Sequence, residues 1–210
     1  MNTKQGYLLV VEDIPDILHL LNTTLTFKGY RVETACDGQE ALELIKREPA
    51  DLIVTDILMP RMDGFILVHS LRTHPETRDI PVIFLSATYI DPEDKAFALT
   101  IGVTHFIEKP VNFDEFLPTI AELLKRGKTA PSGNINEIEF YQGYLKRLKI
   151  KLDHKTKQIA RDQRLMETPT AGDKLHLEAS LQTAIRERQE IQHLLEETRE
   201  KLITFTISEE

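Results

Sequence analysis

Over the first 125 residues, short apolar runs alternate with segments in which apolar residues recur every three or four positions. The runs are rich in β-branched residues and are 7–11, 31–35, 52–55, 82–86 and 103–107. Such runs predict strands, and the segments between them predict amphipathic helices. The alternation favours an α/β domain over residues 1–126, in which five strands form a parallel sheet and five helices cover it.

The pattern changes after a stretch rich in Gly, Pro and Ser at 127–134, which we interpret as a linker. Beyond it, apolar residues recur every seven positions in two series, the second interrupted by one arginine: Ile138, Leu145, Leu152 and Ile159; Leu181, Arg188, Leu195 and Leu202. Heptad spacing is typical of helices that pack along one stripe. Pro169 and Gly172 separate the series and predict a turn. We therefore expect an all-α, antiparallel two-helix hairpin or coiled coil over residues 135–207.

Composition and charge exclude several classes of protein. The chain has 210 residues, 41% of them hydrophobic and 29% charged, and no apolar run approaches the length of a membrane span. A single cysteine, Cys36, precludes an internal disulfide, and the first residues lack the apolar core of a secretory signal, so we expect a cytoplasmic protein. The net charge of −8 argues against a surface devoted to nucleic acid.

Local charge differs between the two predicted helices. Residues 134–168 carry eight Lys or Arg and five Asp or Glu, whereas residues 169–210 carry five and nine. The basic first helix therefore has an acidic partner in the same chain, which agrees with an antiparallel hairpin.

Charged side chains follow the predicted strands where each strand ends. They are Glu12, Asp13, Asp56, Ser86 and Lys109. Ligands of open parallel sheets bind at this edge, and clustered carboxylates repel one another unless a cation neutralises them. Mg²⁺, or alternatively Mn²⁺, suits such oxygen ligands. Asp56 can then act as a nucleophile toward a phosphoryl group, with Lys109 as a cation and Ser86 as a hydroxyl donor.

Four separated motifs resemble those of two-component response-regulator receiver domains. They are Glu12-Asp13, VTDILMPRMDG over 54–64, Ser86-Ala87 and Glu108-Lys109-Pro110. The resemblance covers about residues 6–126. It implies a flavodoxin-like (βα)5 fold with strand order 2-1-3-4-5, in which Asp56 is the phosphoacceptor.

The resemblance also implies the roles of the neighbouring residues. Glu12, Asp13, Asp56 and the backbone carbonyl of Leu58 would hold Mg²⁺, and Ser86 and Lys109 would bind phosphoryl oxygens. Phe106 occupies the position of an aromatic switch residue that is often tyrosine, and phenylalanine lacks its hydroxyl. Pro60, Gly64 and Pro110 have the composition of structural turns.

The resulting functional hypothesis is a phosphorylation-controlled signalling protein. A histidine kinase or phosphotransfer protein would donate the phosphoryl group, and the receiver would catalyse only its own phosphorylation and dephosphorylation. The C-terminal helices would carry the output to a downstream protein partner, and we expect a homodimer because one hairpin buries only one apolar stripe. Two alternatives are a nucleic-acid-binding regulator that uses the basic helix 146–164, and a constitutive scaffold.

Overall fold

A computed structural model describes residues 6–86, 92–128, 136–166 and 174–208. Five strands and seven helices follow one another in these residues. The strands are β1 (Tyr7–Val11), β2 (Arg31–Ala35), β3 (Leu52–Asp56), β4 (Val82–Ser86) and β5 (His105–Glu108). The helices are α1 (Pro15–Phe27), α2 (Gly38–Arg47), α3 (Gly64–Thr73), α4 (Pro92–Thr100), α5 (Phe113–Arg126), α6 (Glu137–Met166) and α7 (Lys174–Ser208).

The strands form one parallel sheet in the order β2-β1-β3-β4-β5, which confirms the expected fold. β1, β3 and β4 are buried along their whole length, because helices cover both faces of the sheet. On one face, α1 and α5 pack Leu21, Leu25 and Phe116 against the strands. On the other, Phe65 of α3 meets Phe84 of β4 edge to face, with ring centroids 5.5 Å apart.

The order of the strands sets where a ligand can bind. The chain passes from β1 to β2 on one side and returns to β3 on the other, so β1 and β3 are neighbours. Val11 pairs with Thr55 at the carboxyl ends of these two strands. A crevice opens at such a switch point, and the residues that follow β1 and β3 line it.

Polar side chains cap the helices that begin near this edge. Asp37, Asp63 and Asn112 accept hydrogen bonds from the first amides of α2, α3 and α5. These amides have no partner within the helix, so the capping side chains fix where each helix begins.

The fifth strand differs from its predicted position. The apolar run predicted 103–107, whereas β5 is His105–Glu108. Val103 is buried but closes the end of α4, since its amide donates to the Ala98 carbonyl. Apolar periodicity cannot distinguish a buried helix-closing residue from the start of a strand.

The chain divides into two compact units, Met1–Asn134 and Ile135–Glu210. In the second unit, α6 and α7 pack against each other and run antiparallel. Tyr141 near the start of α6 stacks on Phe205 near the end of α7, with centroids 5.5 Å apart, while Lys155 lies 2.5 Å from Glu187. The turn predicted around Pro169 and Gly172, and positions 129–134 of the predicted linker, lie outside the described residues.

The apolar stripes of α6 and α7 form the contact between these helices. Leu145, Leu148, Ile159, Ile191 and Leu195 are buried. Arg188 at a heptad position of α7 is half-buried. In the described part of the chain, no helix is long and apolar enough to cross a membrane.

A candidate phosphoacceptor site at the edge of the sheet

The sheet brings four of the predicted side chains to one edge. Asp56 and Ser86 are the last residues of β3 and β4, and Glu12 and Lys109 directly follow β1 and β5. The Glu12 amide donates to the Ala35 carbonyl of β2, which continues the pairing of β1 past its last residue. The parallel register therefore places residues far apart in sequence next to one another.

Asp56 is at the centre of the site. It is 8% exposed, its Oδ1 accepts a hydrogen bond of 2.5 Å from Lys109 Nζ, and its Oδ2 accepts one of 2.9 Å from the Leu58 amide. Lys109 Nζ also lies 2.7 Å from Glu12 Oε2. One ammonium thus bridges two carboxylates, and one Asp56 oxygen is held by a backbone amide.

Burial perturbs both charged partners of Asp56. Desolvation raises the pKa of Glu12, the hydrogen bond from Lys109 opposes that rise, and the charge of Asp56 adds to it. Desolvation lowers the pKa of Lys109, but the charges and hydrogen bonds of Asp56 and Glu12 outweigh it and leave the Lys109 pKa raised. The site therefore holds two carboxylates and one ammonium in a region with little water, which leaves an excess of negative charge.

Ser86 is positioned for a ligand. Its side chain lies at the end of β4 and is 2% exposed, and its Oγ has no hydrogen-bond partner among the residues that the structure describes. Buried hydroxyls are normally hydrogen-bonded. An acceptor oxygen brought to this edge would satisfy Ser86.

The predicted switch residue lies on β5, where it pairs in register with Phe84, two positions before Ser86. Phe106 is half-buried and meets Phe84 edge to face, with centroids 5.9 Å apart. Lys95 of α4 places its ammonium 5.7 Å from the Phe106 ring centroid, within the range of a cation–π contact.

The remaining predicted ligands are nearer the solvent. Asp13 is exposed and Leu58 is 51% exposed. Across the described residues, no three His, Cys, Asp or Glu side chains converge as a metal site. Lys109 instead bridges Glu12 and Asp56, and its single positive charge offsets one of their two negative charges. The buried carboxylates and the adjacent Asp13 nevertheless form the all-oxygen donor set that Mg²⁺ prefers, so the residues present fit this ion.

The predicted turn residues shape the backbone around Asp56. A Cβ at Gly64 would lie 2.6 Å from the Asp56 carbonyl oxygen, so the start of α3 can approach β3 this closely only with glycine. Pro60 lies in the loop between Asp56 and α3, and the Lys109–Pro110 peptide is cis.

The sequence reasoning missed the pairing of two charged residues here, Asp37 at the N-cap of α2 and Arg61 within this loop. Asp37 is fully buried and forms a salt bridge with Arg61. The Asp-Gly pair before a helical segment was a signal for the N-cap of α2, but nothing in the sequence pointed to its ionic partner.

The comparisons with known proteins agree with the fold. The family model of the response regulator receiver domain matches residues 8–121. The chain therefore belongs to the response-regulator receiver family, as the four motifs predicted.

Similar proteins and solved structures include response regulators. A protein of Cyanidium caldarium named "Probable transcriptional regulator ycf27" is 34% identical over 79% of this chain and 64% of its own length. The response regulator MprA of Mycobacterium leprae is 32% identical over 75% of this chain and 64% of its own. The chemotaxis response regulator CheY4 of Vibrio cholerae has a TM-score of 0.54 at 33% identity, covering 57% of this chain and 99% of its own.

The match to the curated relatives is partial. The chain spans 64%, 51% and 64% of the length of three of them. Receiver domains are signalling modules of two-component systems, and this chain contains such a domain.

Proposed function

We propose that this protein is a phospho-accepting response regulator, in which Asp56 takes a phosphoryl group from a histidine kinase or a phosphotransfer protein. The observation that carries the proposal is the setting of Asp56. Its carboxylate is held between the Lys109 ammonium and the Leu58 amide. The buried Ser86 hydroxyl at the end of the adjacent strand supports it.

The chemistry of the step assigns a role to each group. An Asp56 oxygen attacks phosphorus, the bond from phosphorus to the donor histidine nitrogen breaks, and its electron pair stays on that nitrogen. Lys109 and Ser86 contact the transferring oxygens, whose negative charge they stabilise. Water attack on the aspartyl phosphate then restores the carboxylate and releases inorganic phosphate.

Mg²⁺ completes the proposed site. Glu12, Asp13, Asp56 and the Leu58 carbonyl would hold it, and when bound it neutralises charge on the phosphoryl oxygens. The buried carboxylates of Glu12 and Asp56 share the single ammonium of Lys109, and this excess of negative charge supports a cation at this edge.

The proposal is tested by phosphorylating the full chain with acetyl phosphate and Mg²⁺. We expect one phosphoryl group per chain in the wild type and none in Asp56→Asn. Asp51→Asn is the matched control, because Asp51 is an exposed carboxylate before β3 that accepts a hydrogen bond from the Tyr7 amide, which asparagine can also accept. Phosphorylation of Asp56→Asn to the wild-type level would overturn the proposal.

We propose further that residues 1–126 are the receiver, 127–134 the linker and 135–207 the output hairpin, and that the hairpin forms a homodimer or binds a downstream protein. Two observations support a partner. Ile203 and Ile207 of α7 are 59% and 68% exposed. Within the described parts of the hairpin, Arg188 Nε and Asp162 Oδ2 are buried polar atoms without a hydrogen bond.

Light scattering tests this output. Wild type and Asp56→Ala are compared with Mg²⁺, with or without beryllofluoride, an acyl-phosphate mimic. A change of mass in the wild type alone supports a phosphorylation-gated assembly. A monomer under all conditions contradicts the dimer, and an unchanged dimer in both proteins points to a constitutive scaffold.

Nucleic-acid binding by residues 146–164 is a second candidate. It is favoured by exposed Lys146, Lys149, Lys157, Arg161 and Arg164. Three contacts oppose it, because Lys155 pairs with Glu187, Lys157 with Asp153 and Arg161 with Asp162. Duplex binding that weakens steeply with salt and is lost on neutralising Lys146 and Lys149 would favour this candidate over protein contact.

A further inference from the structure

The loop between β3 and α3, residues 57–63, is bound to the start of α2 by a salt bridge and a hydrogen bond. The Arg61 guanidinium forms a salt bridge with the Asp37 carboxylate, and the Gly38 amide donates to the Met62 carbonyl at 3.1 Å. Both contacts join residues more than twenty positions apart in sequence. We refer to the Asp37–Arg61 salt bridge as the loop tether.

The Asp37 carboxylate is fully buried and therefore needs protein groups in place of water. One of its oxygens accepts hydrogen bonds from the Gln39 and Glu40 amides, at 2.8 and 2.9 Å, and so caps α2. The other oxygen faces Arg61. A buried carboxylate is stable when hydrogen bonds and a cation replace its water, and here Arg61 supplies the cation.

Arg61 adopts a backbone conformation that arginine does not favour. Its φ is 63°, in the left-handed region, where the Cβ comes too close to the following carbonyl oxygen. Such a conformation persists only where surrounding contacts require it. The salt bridge to Asp37 and a hydrogen bond of 3.3 Å to Cys36 Sγ are the contacts that Arg61 makes there.

The loop also lies unusually close to α2. A Cβ at Gly38 would be 2.6 Å from Met62 Cγ and 2.9 Å from the Met62 carbonyl oxygen. The backbone at Gly38 therefore admits no side chain while the loop is in place. Glycine permits the approach, and the tether maintains it.

The other end of the loop belongs to the phosphoacceptor site. The Leu58 amide donates to Asp56 Oδ2 at 2.9 Å, and the Gly64 amide donates to the Ile57 carbonyl at the same distance. We propose that Asp37 and Arg61 are positioning residues for phosphoryl acceptance. By fixing the loop they keep the Leu58 amide on Asp56, and they would hold the Leu58 carbonyl available as a ligand for the cation. This inference rests on the proposed function of Asp56.

The tether predicts a specific set of losses when it is removed. In Arg61→Ala, amide exchange in residues 57–64 should accelerate, Mn²⁺ affinity should fall, and phosphorylation by acetyl phosphate should slow. Residues that orient ligands through a hydrogen-bonded shell change affinity or activity by about 10-fold to 100-fold, and we expect about tenfold for the phosphorylation rate.

Three further variants of the full chain separate positioning from folding. Arg61→Lys keeps a cation and should recover most of the rate. Arg61→Gly relieves the left-handed strain but removes the salt bridge, so it should resemble Arg61→Ala if the tether matters. Arg31→Ala is the control, because it removes an exposed arginine that pairs with Glu48 at 2.6 Å at the opposite edge of the sheet.

The readouts are hydrogen exchange of the metal-free protein, Mn²⁺ affinity from water-proton relaxation, and the phosphorylation rate. Wild-type values of all three in Arg61→Ala would overturn the inference, as would faster exchange with an unchanged rate. Equal losses in Arg31→Ala would also overturn it. Failure of the wild type to accept a phosphoryl group contradicts the function of Asp56 instead, while metal-free exchange still reports whether the tether holds the loop.

Discussion

Lys109 offers the sharpest test of how the negative charges of the site are compensated. Its ammonium bridges Glu12 and Asp56 at 2.7 and 2.5 Å, and the three side chains are 17%, 0% and 12% exposed. In Lys109→Met the two carboxylates stay buried without their cation, while methionine retains much of the apolar stem.

The magnitude follows from this burial. Removing one partner of a buried ion pair costs about 3–5 kcal/mol. Residual exposure of Lys109 and Asp56 places this case at the lower end, so we expect the free energy of unfolding of the receiver to fall by about 3 kcal/mol in EDTA. Mg²⁺ should stabilise the variant more than the wild type, because it takes over the neutralising role. A ligand at a hundred times its Kd adds about 2.7 kcal/mol.

Native-state hydrogen exchange of the β1 and β3 amides measures this free energy in the receiver itself. Lys46→Met is the matched control, since Lys46 is an exposed lysine of α2 and should change stability by less than about 0.5 kcal/mol. If Lys109→Met were as stable as Lys46→Met in EDTA, the argument that Lys109 compensates two buried carboxylates would be refuted. An identical loss with and without Mg²⁺ would show that the ion does not use these carboxylates.

Three further outcomes can be measured. Gly64→Ala should lower the free energy of unfolding by about 1–3 kcal/mol and should slow phosphorylation, because the alanine Cβ would lie 2.6 Å from the Asp56 carbonyl oxygen. An unchanged midpoint of urea unfolding would contradict that contact. Burial raises the pKa of Tyr7 to about 12. The free energy of unfolding should therefore fall between about pH 10, where tyrosine in the unfolded chain ionises, and about pH 12. Tyr7→Phe should flatten this pH dependence, and an equal slope in both proteins would refute the assignment to Tyr7. Leu195→Ala, which truncates a side chain 4% exposed, should destabilise the hairpin by about 2–4 kcal/mol in circular dichroism melts, whereas the exposed Gln192→Ala should have little effect.

The regular elements and most of the site could be predicted because they rest on local rules. β1 and β4 match the predicted runs, since strands buried on both faces have a continuous apolar sequence. β2, a partly exposed edge strand, also matches its predicted bounds. Glu12, Asp56 and Lys109 could be brought together because parallel strands share one carboxyl edge. The predicted packing of α6 on α7 followed from heptad spacing and opposite charge.

The missed features depend on tertiary contacts. Val103 has the sequence of a strand residue but closes α4. The position of the Lys109 ammonium between two carboxylates depends on distances in the folded protein, which the spacing of residues along the sequence does not specify. Arg61 was missed because its left-handed backbone and its pairing with Asp37 arise only when the loop folds over α2.

The conformation of Arg61 has a consequence for how this sequence can vary. Its backbone, at φ 63°, favours glycine or asparagine, whereas buried Asp37 requires a cation. No amino acid meets both demands, so positions 37 and 61 should covary across relatives. Where position 61 is glycine or asparagine, we expect a neutral helix cap such as asparagine or serine at position 37. Aspartate should persist where position 61 is basic.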